Sequence, residues 1–147
     1  MDLKKLPRRL IGEILIEEGF LEFEELKKGL EIQKHEGGLI GEILIREGWV
    51  KEDELMSCLA KQLSLPFIRL SNYSVNRNTA RAIPRELAER YLFIAFDQDE
   101  DEIFLAMSDP GTQGALEEIQ KRVPLRLQVY LSTPSEIRQA IGTFYGD

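Results

Sequence analysis

Residues 10–33 read LIGEILIEEGFLEFEELKKGLEIQ, and residues 39–62 read LIGEILIREGWVKEDELMSCLAKQ. The two stretches align without a gap at an offset of 29, and 13 of their 24 positions are identical. Between them lies the spacer Lys34-His35-Glu36-Gly37-Gly38. Identity at this density marks a duplicated supersecondary unit. In the first copy Leu10, Ile11, Ile14 and Leu15 recur at helical spacing and make one apolar face. Gly19 stops that helix, because glycine enters the left-handed cap without a Cβ penalty. Phe20 and Leu21 cross over. A second helix is predicted from Phe23 to Gln33, with Leu26, Leu30 and Phe23 facing inward. The second copy repeats the plan with Ile40, Ile43 and Leu44, a break at Gly48, then Trp49, Val50, Leu55, Cys58 and Leu59. Short helices do not bury a face alone, so two hairpins must pack together.

Gly12 and Gly41 stand near the start of a helix in each copy, where glycine costs about 1 kcal/mol relative to alanine. Either the helices pack closely there, or something approaches the backbone.

Past Leu65-Pro66 the pattern turns from helical to mixed. Proline disfavours helix at the residue before it, which sets a boundary there. Phe67–Leu70 reads as a short strand, and Asn72–Asn78 as a polar turn. Pro84 opens a short helix to Arg90. Tyr91–Phe96 and Ile103–Met107 read as strands joined by the acidic turn Asp97–Glu102. Ser108-Asp109-Pro110 reads as the cap of a helix to Lys121, and Leu125–Leu131 as a strand. Thr133-Pro134-Ser135-Glu136 is a capping box that opens a last helix to Tyr145. The expected fold is mainly α plus α+β. A four-helix duplicated hairpin bundle over residues 1–64 precedes a small α+β unit over 65–147, with a three- to four-stranded sheet.

The chain has 147 residues and a net charge of −7. Residues 1–64 carry 10 basic and 14 acidic groups, and residues 65–147 carry 9 and 12. Neither half offers a basic face, so nucleic acid is not an expected partner. No run approaches the length of a membrane span, no signal peptide is evident, and the lone Cys58 makes no internal disulfide. These features point to the cytoplasm. Catalytic sets are missing as well. Asp97, Asp99 and Asp101 begin like a calcium loop, but Glu102 and Ser108 occupy the positions that need Gly and Glu. His35 is the single histidine and Cys58 the single cysteine, too few to build a His/Cys zinc site. The chain has no Gly-Lys dipeptide, so no phosphate-binding G-x-x-x-x-G-K-[ST] loop exists in it. The reading is of a binding or regulatory module, not an enzyme, with no metal and no cofactor.

The repeat resembles that of the MshEN family, the N-terminal domain of type II secretion and type IV pilus assembly ATPases. That family's repeat runs R-L-G-x-x-L, x-x-x-G, six residues, then L-x-x-x-L-x-x-Q. Gly12, Leu15, Gly19, Leu26, Leu30 and Gln33 match it in the first copy. Gly41, Leu44, Gly48, Leu55, Leu59 and Gln62 match it in the second. Leu65-Pro66-Phe67, Asp109-Pro110 and Phe144-Tyr145-Gly146 are similar to the family too. The resemblance implies docking to a protein partner in protein transport, namely the cytoplasmic part of an inner-membrane platform protein or an associated ATPase. It implies a cytoplasmic location, or a peripheral one at the inner membrane through that partner, without direct insertion. As an alternative it implies cyclic di-GMP as a ligand of those twelve residues together with Arg9, Leu10 and Leu39. Glycines admit a purine or phosphate to the backbone, helix amino termini attract phosphate, and leucines wall the bases. Leu10 and Leu39 stand where the family has arginine. Arg9 precedes Leu10 by one residue, about 100° around a helix.

Overall fold

The computed structural model describes residues 11–112 and 114–146. Arg9 and Leu10 lie outside them. The described residues form eight α-helices and one three-stranded mixed sheet, an α+β arrangement. In chain order the elements are α1 (Ile11–Glu17), α2 (Phe23–Glu36), α3 (Ile40–Arg46), α4 (Glu52–Leu63), α5 (Arg77–Arg81), α6 (Arg85–Tyr91), β1 (Phe93–Gln98), β2 (Glu102–Met107), α7 (Ala115–Gln120), β3 (Arg126–Leu131) and α8 (Pro134–Phe144).

Both copies of the repeat fold as helix hairpins, and they do so by the same bonds. Gly19 and Gly48 take φ of +84° and +80°. The amide of Phe20 then donates to Leu15 O at 2.9 Å, and that of Trp49 donates to Leu44 O at 3.0 Å. These bonds satisfy carbonyls that the helix end would otherwise leave open. The following helices start alike too. The Glu22 amide donates to Glu25 Oε1, and the Lys51 amide to Glu54 Oε1, each at 2.9 Å.

Helix α2 runs three residues past Gln33 and takes in most of the spacer. Leu26 packs against the repeat core as expected, but Phe23 and Leu30 do not face inward. Phe23 is 67% exposed and Leu30 45%. The buried contact of α2 is Gly29 instead, whose side faces Leu44 and Ile40 of α3. Helix α4 is covered on more sides, by α1 and by β3, and Leu55, Met56, Cys58 and Leu59 are all buried.

In the sheet, β2 is central, antiparallel to β1 and parallel to β3. The expected strand at Phe67–Leu70 reduces to a single bridge between Phe67 and Leu131. Pro66 has no amide to extend the ladder, and Leu70–Asn72 coils into a 3₁₀ turn. The polar turn hides a helix, α5, capped by Asn76, whose side chain accepts from the Asn78 and Thr79 amides at 2.9 and 3.3 Å. Tyr91 closes α6 rather than opening a strand. The acidic turn is closed by Asp99, whose Oδ1 accepts from the Asp101 and Glu102 amides at 2.8 Å each. Those two bonds hold its carboxyl below the usual range. Thr133 caps α8 as expected, accepting from the Glu136 amide at 3.3 Å.

One apolar cluster gathers the sheet with α5 to α8 and includes Leu39. The other gathers the four repeat helices and includes Leu131. Each half therefore plants a leucine in the other's core.

Candidate ligand groove and its relatives

Four segments enclose a groove of about 240 Å³: the first turn of α1, the outer side of α2, the start of α3 and the loop after β2. Ile11, Gly12 and Glu13 come from α1, and Leu26, Leu30 and Gln33 from α2. Leu39 and Ile40 come from the start of α3, and Asp109, Gly111 and Thr112 from the loop. Of the residues expected from the sequence, the groove brings together Gly12, Leu26, Leu30, Gln33 and Leu39.

The others go elsewhere. Leu15 and Leu44 are fully buried, and Leu55 and Leu59 lie in the same core. Gly19 and Gly48 sit in the left-handed turns after α1 and α3. Gln62 donates to Glu18, whereas Gln33 donates to Gly38 O at 3.0 Å. Gly41 backs onto Leu55, and an added Cβ would lie 3.4 Å from Leu55 Cδ2. At Gly12 the same Cβ would lie 2.5 Å from Leu26 Cδ1. Close packing therefore needs glycine at Gly12, whereas at Gly41 a Cβ would make an ordinary contact, and only at Gly12 is the neighbouring leucine also a groove wall.

The fourth wall, the loop after β2, differs from the sequence expectation. Ser108–Pro110 does not cap a helix. Gly111, and then Gly114 at φ +81°, delay α7 to Ala115. The Pro-Gly pair at 110–111 was the available turn signal. Asp109 is instead folded into the loop at 8% exposure, and its Oδ1 accepts from the Gly111 amide at 3.1 Å. Burial pushes its carboxyl up, and the bonds from Gly111 and Thr112 offset only part of that. Among the described residues no lining side chain is Lys, Arg or His, and Glu13 and Asp109 are both acidic. The groove therefore favours an apolar body with hydrogen-bond donors on its edge.

The raised Asp109 carboxyl has a sign that can be checked. The folded state holds the proton more tightly than the unfolded chain, whose aspartates titrate near about 3.9. Its stability contribution is complete below that value and is lost as pH rises through the folded one. Asp109→Asn keeps an acceptor for Gly111 and removes the ionisation. Its urea midpoint is expected to exceed the parent's at neutral pH, with the advantage shrinking to nothing in acid. A constant difference at all pH values would contradict this.

A duplicated helix hairpin seated on a small α+β layer is the class of domain that these described residues define. The family model described as the MshEN domain matches residues 63–147, more than half of the chain, and the chain belongs to that family. The matched residues are the α+β half, so the repeat precedes them.

The type IV pilus assembly ATPase PilB of Myxococcus xanthus (strain DK1622) is 27% identical over 137 residues. That match covers 93% of this chain and 24% of PilB, so the chain spans about a quarter of that relative's length. A structure of MshE with cdg, cyclic di-GMP, is 29% identical with a TM-score of 0.69, covering 93% of this chain and 99% of that one. The N-terminal domain of XpsE shares the fold at 20% identity and a TM-score of 0.72, covering 92% and 94%. No helix among the described residues is long and apolar enough to cross a membrane.

Proposed function

We propose that this chain is a non-catalytic regulatory domain of the secretion and pilus ATPase family, and that its first repeat receives cyclic di-GMP. The division at residue 64 belongs to the same reading, with 1–64 as the receiving unit and 65–147 as its companion. One observation carries the proposal. Gly12, Leu26, Leu30 and Gln33, the repeat's own motif residues, open onto a groove, and the similar MshE is described with that ligand.

The groove is smaller than the 300–1,000 Å³ typical of drug-sized ligand sites. It suits one base with its sugar, and the rest of the dinucleotide lies outside. Leu26 and Leu30 give a purine an apolar wall. Asp109 accepts from a donor-bearing edge such as the guanine amino group. Among the described residues the two phosphates find no guanidinium in the groove, because Leu39 stands where the second repeat would carry arginine, so binding is expected to be weaker than with arginine in both repeats. Calorimetry tests the reading. A saturable 1:1 heat with cyclic di-GMP supports it, and silence at high-micromolar ligand with folded protein ends it.

A second reading is docking to the cytoplasmic segment of an inner-membrane platform protein or to an associated ATPase, with a cytoplasmic or peripheral location. The exposed Phe23 and Leu30 favour it. Pull-down of such segments by the whole chain tests it, and failure to retain any of them counts against it.

A further inference from the structure

The duplication allows two faces of one design to be compared. On α4, Glu52, Met56, Leu59 and Leu63 fall at i, i+4, i+7 and i+11 and form one ridge. The chain's own α+β half covers that ridge. Helix α4 packs on β3, Leu131 joins its apolar cluster, and Glu52 accepts from the Ser135 amide at 2.9 Å and the Ser135 hydroxyl at 3.1 Å. Moved back by 29 residues, the same ridge on α2 is Phe23, Lys27, Leu30 and Lys34. This one is open. Phe23 and Leu30 are the exposed apolar groups noted above, and both lysines are exposed.

The differences between the two ridges are directional. Leu59 remains a leucine at Leu30. Glu52, which meets a helix amino terminus, becomes the apolar Phe23. Met56 and Leu63, which are buried, become Lys27 and Lys34. Apolar and basic positions then alternate along the ridge, as Phe23, Lys27, Leu30 and Lys34.

We infer that the α2 ridge docks an amphipathic helix of a partner protein, with an apolar stripe flanked by carboxylates. The inference rests on the docking reading and gives it a face and a chemistry. The ridge is about 16 Å long, eleven residues at 1.5 Å each, which is a length that helix ridges pack against. Two ammonium groups set among the apolar side chains of a closed interface require opposite charges, because an unpaired one loses its hydration without return. An anionic membrane is disfavoured by the net charge of −7, which repels an extended anionic surface more than one short helix.

The test places a photo-crosslinking amino acid at position 23 of the full chain in its native cells. The crosslinked peptide is then sequenced. The expected adduct lies on an apolar helical segment with acidic flanks. Lys27→Glu with Lys34→Glu lowers its yield at least about tenfold, because like charges then face each other across the contact. Lysines substituted for the partner's flanking carboxylates restore the yield. Both lysines are exposed, so the reversal leaves the fold intact, and circular dichroism checks this. Four results overturn the proposal: no protein adduct, a lipid adduct, an adduct with a second copy of this chain, or a yield that ignores charge reversal and its compensation. If platform segments are still retained by the whole chain while the crosslink is absent, the face is wrong and the docking reading stands.

Discussion

Replacing Gly12 with valine is expected to remove cyclic di-GMP binding while leaving the fold close to its parental stability. A Cβ at Gly12 would lie 2.5 Å from Leu26 Cδ1 and 3.0 Å from Cδ2. Those are the free ends of a flexible side chain that is only partly buried. Leu26 therefore yields, and the space into which it yields is the groove. The loss should be at least about tenfold in affinity, or 1.4 kcal/mol. Gly41→Val is the matched control at the equivalent position of the second copy. Its Cβ meets Leu55, which is 2% exposed and does not line the groove. Overpacking a core of that kind costs about 1–3 kcal/mol of stability and leaves the groove alone. Calorimetry and urea unfolding on both variants decide the matter. If Gly12→Val binds like the parent, or Gly41→Val loses binding while still folded, the groove is not the receiving site.

That contrast also explains how far the sequence could be read. Helix hairpins, their turns and their spacing were legible because they are local. Gly19 and Gly48 end helices by backbone geometry alone, and the tandem copy doubles the signal. Burial was not legible, because it depends on what lands on a helix from elsewhere. Leu26 and Leu30 match Leu55 and Leu59 letter for letter, yet one pair walls a groove and the other is core. The deciding contact comes from β3, some 70 residues later in the chain. For the same reason Asp109 reads locally as part of a helix cap. Ser-Asp-Pro is a sound local signal, and glycines at 111 and 114 redirect the chain into the loop that closes the groove. The strand expected at Phe67–Leu70 failed in the opposite sense, since its residues suit a strand but Pro66 and the turn at Leu70 leave it one bridge long.

The largest stability effect is expected from Leu131→Ala, at the seam between the two halves. Leu131 ends β3 and is fully buried, but its side chain belongs to the cluster of the repeat helices with Leu55, Leu59 and Leu63. Its backbone is held separately, donating to Pro66 O and accepting from the Ile68 amide at 2.8 Å each. Truncation keeps those bonds and leaves a cavity where the helical bundle meets the sheet. Such a change costs about 2–5 kcal/mol, a large part of the roughly 5–15 kcal/mol that holds an ordinary domain folded. Trp49, the only tryptophan, reports on the helical half by fluorescence, and circular dichroism reports on the whole. In the parent the two urea transitions should coincide, as one cooperative unit requires. In Leu131→Ala both should fall, with the Trp49 transition leading. Arg138→Ala is the instructive comparison. Arg138 reaches across the same seam to both oxygens of Glu42 at 2.5 and 2.6 Å, but its side chain is 58% exposed. An exposed pair contributes about 0–1 kcal/mol. If Arg138→Ala costs more than Leu131→Ala, the halves are joined by charge rather than by the interleaved leucines, and the seam has been misread.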